Sequence, residues 1–192
     1  NLATPSQFVV EFNQSGANYS YDNIEVLDGI LANSTNNGNT NMAQQLFSFD
    51  IIRILTDKFG ERVWQGKTLL SEKVALVRTL VTRLNVKWYG YGSSPLGSKA
   101  TLLGYSGGWF GGMSHTSSTV ALLNWVQTNT AYINNDGHIH IITHAESSDG
   151  VTPSTINTDF IELLLDVNID SAVYDATVLD ASNFVGEVSG DG

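Results

Sequence analysis

The sequence predicts a mainly β protein: an antiparallel, jelly-roll-like β-sandwich preceded by two amphipathic α-helices and an N-terminal arm. Three observations carry this. After residue 85 the chain breaks into short alternating and β-branched runs separated by Gly, Ser, Asn and Asp, with no helical stretch between them. Before that point Leu70, Val74, Val77, Val81 and Leu84 recur at intervals of 4, 3, 4 and 3 residues, which places them on one face of a helix. Earlier still, residues 33–41 contain only Asn, Ser, Thr and Gly, a composition that buries little surface.

These signals divide the chain into an arm or linker over 1–41, a helical segment over 42–85 and a sandwich domain over 86–192. In the arm, the apolar run from Phe8 to Phe12 suits a strand. Asn13, Asn18 and Asn33 each open a sequence that fits the N-glycosylation pattern. Residues 42–60 read as the first helix, with Leu46, Phe49, Ile52 or Arg53, and Leu55 or Phe59 near helical spacing and Gly60 as the stop. Residues 69–84 read as the second. The expected strands are 86–91, 100–105, 118–127, 131–133, 138–144, 159–167 and 172–179. Asn134-Asn135-Asp136-Gly137 is a hairpin turn by composition.

With 192 residues, 42% of them apolar, the chain can build a core. It has no cysteine, which excludes disulfide scaffolds, thiolate metal sites and thiol catalysis. No apolar run reaches the roughly 20 residues of a membrane span, so no membrane insertion is expected. The net charge of −10 argues against nucleic acid as a partner. Asn1 in place of Met suggests a processed N-terminus.

The charges are unevenly placed. All nine Lys and Arg lie between Arg53 and Lys99, against three acids, for a local charge of +6. Residues 101–192 carry eleven acids and no base. Complementary contact between copies is one consequence, with Arg53, Lys58, Arg62, Lys73, Arg78 and Arg83 meeting an acidic neighbour.

Several constellations could carry chemistry. Gly104-Tyr105-Ser106-Gly107-Gly108 matches the nucleophile-elbow pattern, but two more glycines follow where that motif needs a helix. His138, His140 and His144 share one face of a strand and, with Glu146, form a candidate metal set; the bland reading is a wet strand face with Ile139, Ile141 and Thr143 inward. Asp166, Asn168 and Asp170 alternate as oxygen ligands do in calcium loops, although Ser171 replaces the usual glycine. They could hold a structural calcium; no other cofactor is expected. Among the aromatics, Trp88 and Trp125 are expected in the core. Tyr91, Tyr105, Trp109 and Phe110, mostly beside glycine, are expected outward, where flat rings suit the face of a sugar.

The stretches Trp88–Ala100, Ala131–His140 and Thr158–Leu163 resemble carbohydrate-binding-type jelly-roll modules, which occur in surface and tail-associated proteins of bacteria and their phages. The resemblance covers about residues 86–167, and its last part is similar to the closing strand of those modules, Asp-aromatic-apolar-Glu-apolar. It implies a non-enzymatic component of a virion, phage tail or appendage, or of a bacterial cell surface. Such a component binds a glycan or surface polymer and assembles with itself or other subunits as a homo-oligomer. The alternative is a metal-dependent or serine hydrolase using His138, His140, His144 and Glu146, or Ser106.

Overall fold

The computed structural model describes residues 1–8 and 21–169. Among these, eight strands form two antiparallel four-stranded sheets packed as a β-sandwich. The strands are β1 (Ala32–Asn36), β2 (Gln44–Asp50), β3 (Val81–Ser93), β4 (Ala100–Tyr105), β5 (Trp109–His115), β6 (Ala121–Gln127), β7 (His138–Ala145) and β8 (Ser154–Val167). One sheet has the order β1-β8-β3-β6, the other β2-β7-β4-β5. Three helices accompany them: α1 (Asp22–Glu25), α2 (Ile51–Phe59) and α3 (Leu70–Leu80).

The core lies between the sheets. Trp88, Trp125, Val86, Leu84, Leu102, Ile139, Ile141 and Ile156 are fully buried there. Their strands alternate inward and outward side chains, so each inner face is apolar and each outer face polar or mixed. Trp88 and Trp125 thus fill the core as expected. Close packing leaves no room for a side chain at Gly104: a Cβ there would stand 2.5 Å from Trp125 Cζ2 and 3.0 Å from Tyr132 Cε1.

A buried polar cluster joins the two layers. Gln45 on β2 donates through Nε2 to the Ala32 carbonyl (3.1 Å) and to Ser34 Oγ (3.2 Å), both on β1 of the opposite sheet. Its Oε1 accepts from Thr158 Oγ1 (2.6 Å), and that hydroxyl in turn accepts from Trp88 Nε1 (2.7 Å). Every polar atom of this chain of contacts is paired, which is the condition for tolerating it inside a core.

The helical segment differs from its expectation. Residues 44–50 are a strand, and the first helix begins only at Ile51, where Asp50 caps it by accepting from Arg53 N at 2.9 Å. Gln45 and Phe47 are buried while Ser48 is exposed, the period of two of a strand. The second helix stops at Leu80. Val81 and Leu84, which continue its spacing, are buried on β3, where Val81 pairs with Val167 and Leu84 with Leu165. Pairing with β8 has overridden the helical period.

The expected division at residues 41 and 85 therefore does not bound the sandwich, because β1 comes from the arm and β2 from the helical segment. Strand 100–105 falls at β4 as read, and 86–91, 118–127, 138–144 and 159–167 fall within or overlap β3, β6, β7 and β8. Residues 131–133 are not a strand: Thr130–Tyr132 form a 3-10 turn capped by Asn129. The Asn134–Gly137 turn is present, with Asn134 N donating to the His138 carbonyl at 2.8 Å and Gly137 at φ 78°. β5 has no counterpart in the sequence reading. Residues 172–179, most of the run from Phe8 to Phe12, Asn13, Asn18 and Asp170 lie outside the described residues. Among the described residues no helix is long and apolar enough to cross a membrane.

Candidate functional site

The residues singled out for chemistry gather mainly on the outer face of the β2-β7-β4-β5 sheet. Alternation along β7 turns His138, His140, Ile142 and His144 outward. Register with β2 sets Asp50 beside His138, Ser48 beside His140, Leu46 beside Ile142 and Gln44 beside His144. Thr101 and Leu103 of β4 flank His144 and Ile142 on the other side.

The three imidazoles do not converge. His138 and His140 stack with ring centroids 6.0 Å apart. His144 stands four residues further along the strand, about 13 Å away at the usual rise, with Ile142 between. Among the described residues no three His, Asp or Glu side chains are placed to hold one metal ion. Each ring instead has a structural partner. His140 Nε2 lies 3.1 Å from Asn134 Nδ2, and Asn134 Oδ1 is occupied by the amides of Asp136 and His138. The Asn134 amide must therefore donate, His140 Nε2 accepts, and Nδ1–H donates to Ser48 Oγ at 2.8 Å. That is a neutral ring. Burial pushes its pKa down, and the neighbouring His138 adds to this, against Asp136. His144 is also held below its ordinary value by burial, while Nδ1–H donates to the Ala145 carbonyl at 3.0 Å. Glu146 is paired with Lys99.

Ser106 lies in the tight turn between β4 and β5, where its N–H donates to the Gly108 carbonyl at 2.8 Å. Its hydroxyl donates to the Ala131 carbonyl at 3.1 Å. Strand β5, not a helix, follows it, so the serine is not displayed on a nucleophile elbow. His115 sits at the far end of β5, paired with Ala100 and stacked on Trp88.

The four aromatics do not form one platform. Tyr105 and Trp109 pair edge to face with centroids 5.0 Å apart on the outer face of the β2-β7-β4-β5 sheet. Phe110 follows Trp109 on the same strand and so faces the other way, 56% exposed. Tyr91 is on β3, opposite Asn157, on the outer face of the other sheet. The Trp109 ring is also engaged by its own chain. Its Nε1 donates to the Ala3 carbonyl at 2.9 Å, and Ala3 N donates to Gln44 Oε1 at 3.0 Å. Residues 1–3 are thus pinned between side chains from the two edge strands, across the outward face of the sheet.

Three of the nine bases meet the acidic half within the chain. Arg83 pairs with Asp166 (3.4 Å), Lys87 with Glu162 (2.9 Å) and Lys99 with Glu146. The basic middle docks on the acidic half across the β3–β8 ladder and the β4–β7 edge. Arg78 Nε and Nη2 donate to the Ile133 carbonyl at 3.1 and 2.6 Å, which fastens α3 to the 3-10 turn. Lys73 pairs with Glu61 at 3.2 Å, and Arg53 with Asp57 within α2. Arg62 and Lys58 lie in the same helical region, exposed.

In the calcium reading, Asp166 faces Arg83 and the Asn168 amide donates to the Leu80 carbonyl at 2.8 Å. The third ligand, Asp170, is outside the described residues. Asn33 of the described glycosylation sequence donates through Nδ2 to Asn157 Oδ1 at 2.7 Å, so its amide is already used within the sheet.

Two features escaped the sequence. Asp159, only 3% exposed, accepts from the amides of Asp28 and Gly29 at 3.2 and 3.1 Å and fixes the loop that leads into β1. Gln45 and Thr158 form the buried cluster between the layers. Polar residues inside a run of Asn, Gln, Ser and Thr give no local sign of burial.

Comparison with family models, with curated proteins and with solved structures finds no match for this chain.

Proposed function

We propose that the chain is a non-enzymatic structural subunit, a self-assembling jelly roll of a virion, phage tail or appendage, or of a bacterial surface assembly. The observation that carries this reading is the strand order. The ladders β1–β8, β2–β7, β3–β6 and β4–β5 are the rungs of one long antiparallel ribbon, and β3–β8 with β4–β7 join the ribbon to itself when it is rolled. Eight strands rolled in this way form the jelly roll found in viral capsid and lectin domains.

Assembly is favoured over sugar binding because the aromatic set is divided between faces. The candidate nucleophile and imidazoles each have a structural hydrogen-bond partner, which favours a building role over a hydrolytic one. A second reading, glycan contact, rests on the Tyr105–Trp109 pair.

Electron microscopy of the concentrated 192-residue chain tests the first reading. Ordered particles or arrays are expected, and dispersed single subunits at every concentration contradict it. A glycan array tests the second: binding should fall when Trp109→Ala is made and folding is unchanged, and retained binding removes Trp109 from the contact.

A further inference from the structure

We propose that His140 is an acid-released latch: its neutral ring holds the Asn134–Gly137 turn, the turn seats α2 and α3 on the sandwich, and a proton on Nε2 opens the turn and unseats them. The response is local, and it is independent of assembly and of sugar binding.

The hydrogen bonds admit one protonation state. Asn134 Oδ1 accepts from the amides of Asp136 and His138, both at 2.9 Å. Asn134 Nδ2 therefore faces His140 Nε2 at 3.1 Å, and only an unprotonated Nε2 accepts from it. A proton there sets one donor against another. Turning the Asn134 amide over restores that contact but points its NH2 at the two backbone amides, so two hydrogen bonds are lost for one gained. The ring is held on its other sides. Nδ1–H donates to Ser48 Oγ at 2.8 Å, His138 stacks with its plane 9° away, and Tyr105 stands edge-on with centroids 6.5 Å apart. The turn is the part that gives way.

The neighbouring titratable groups are few. His138 stacks on the ring, and His144 stands beyond Ile142 on the same strand. Asp50 closes β2, with its carboxylate 4.0 Å from His138 Nε2. Asp136 lies in the turn and Tyr105 on β4. Strands β2, β4, β5 and β7 carry no Lys or Arg. Arg78 reaches the turn from α3, at Asn135 Oδ1. Burial and His138 oppose a proton on His140, and Asp136 favours it. His138 takes up a proton without losing a contact, because its Nδ1 lies 3.0 Å from the Asp136 carbonyl, an acceptor.

The turn carries both helices. α2 begins on it, with Ile51 N donating to the Gly137 carbonyl at 3.0 Å. Gly137 packs between the helices, since a Cβ there would stand 2.5 Å from Ile52 Cγ1 and 3.5 Å from Val74 Cγ2. Arg78 on α3 donates to Asn135 Oδ1 at 3.1 Å. When the Asn134 side chain leaves its place, the amides of Asp136 and His138 lose their acceptor and the turn loses its shape. The start of α2 is then freed, and Val74, 2% exposed, is uncovered.

Amide hydrogen exchange of the 192-residue chain, expressed as protection factors from about pH 7.5 to about pH 5, tests the latch. Protection of the Asp136, His138 and Ile51 amides should fall by up to about tenfold per pH unit below the ordinary 6.5, while the Val86 and Leu102 amides in the sheets keep theirs. His140→Gln retains an acceptor for Asn134 and does not titrate, so the fall should vanish; in His138→Gln it should remain. Asn134→Asp leaves one oxygen for the two amides and turns the other to the imidazolium, so protection of the turn should rise on acidification. A flat profile in the parent overturns the latch. So does a fall that persists in His140→Gln, disappears in His138→Gln or is unchanged in Asn134→Asp, and so do sheet amides that lose protection in step with the turn.

Discussion

Replacing Thr158 by Val removes one hydroxyl and leaves the shape of the side chain. That hydroxyl accepts from Trp88 Nε1 at 2.7 Å and donates to Gln45 Oε1 at 2.6 Å, and Trp88, Gln45 and Thr158 are all buried. Thr158→Val strands one donor and one acceptor in the core. Each unsatisfied buried group costs about 1–3 kcal/mol, so the variant should lose about 2–6 kcal/mol. For a chain of this size about 1 kcal/mol moves the midpoint by roughly 2–4 °C, so the fall in Tm should be on the order of 10 °C. Urea unfolding followed by tryptophan fluorescence measures it. Thr158→Ser keeps both hydrogen bonds and should lose only the methyl contribution, about 1 kcal/mol. A Thr158→Val variant as stable as Thr158→Ser would refute the view that this cluster holds the two sheets together.

Three further outcomes follow from the packing. Because burial lowers the pKa of His140 and His144 below the ordinary 6.5, the unfolded chain takes up protons first as pH falls. Their contribution should be constant above that value and be lost progressively below it, and His140→Gln with His144→Gln should flatten that slope in urea titrations at a series of pH values. Gly104→Ala places a Cβ 2.5 Å from Trp125 and should cost about 1–3 kcal/mol by overpacking, read as a lower urea midpoint at unchanged slope. Arg78→Ala removes both guanidinium bonds to the Ile133 carbonyl and should destabilise the subunit by about 1.5–3 kcal/mol. It should not change the oligomeric mass, whereas a change in mass at unchanged stability would place Arg78 between subunits.

The strands whose inner faces are apolar were legible in the sequence. Val86 and Trp88, Leu102, Leu123 and Trp125, and Ile139 and Ile141 alternate with polar or small neighbours, and β3, β4, β6 and β7 follow from them. β1 was not legible, because its five residues are Ala, Asn, Ser, Thr and Asn, and its order comes from pairing with β8 and from Gln45 rather than from an apolar pattern. β2 was misread because Leu46, Phe49, Ile52 and Leu55 satisfy helical spacing across a strand–helix junction, and only Asp50 marks the change. β5 carries two adjacent glycines and is almost wholly exposed at a sheet edge, so neither period appears in it. At the candidate site the sequence placed His138, His140 and His144 on one face. It could not show that Asn134, Ser48 and a backbone carbonyl satisfy two of them, since those contacts come from neighbouring strands and the turn. Nor could it show that Arg83, Lys87 and Lys99 meet Asp166, Glu162 and Glu146 inside one subunit.

Sedimentation velocity of the 192-residue chain from micromolar to millimolar concentration tests the assembly account most directly. The account predicts a weight-average mass that climbs well above the 20.8 kDa of one chain as concentration rises. A single 20.8 kDa species across the whole range would contradict it.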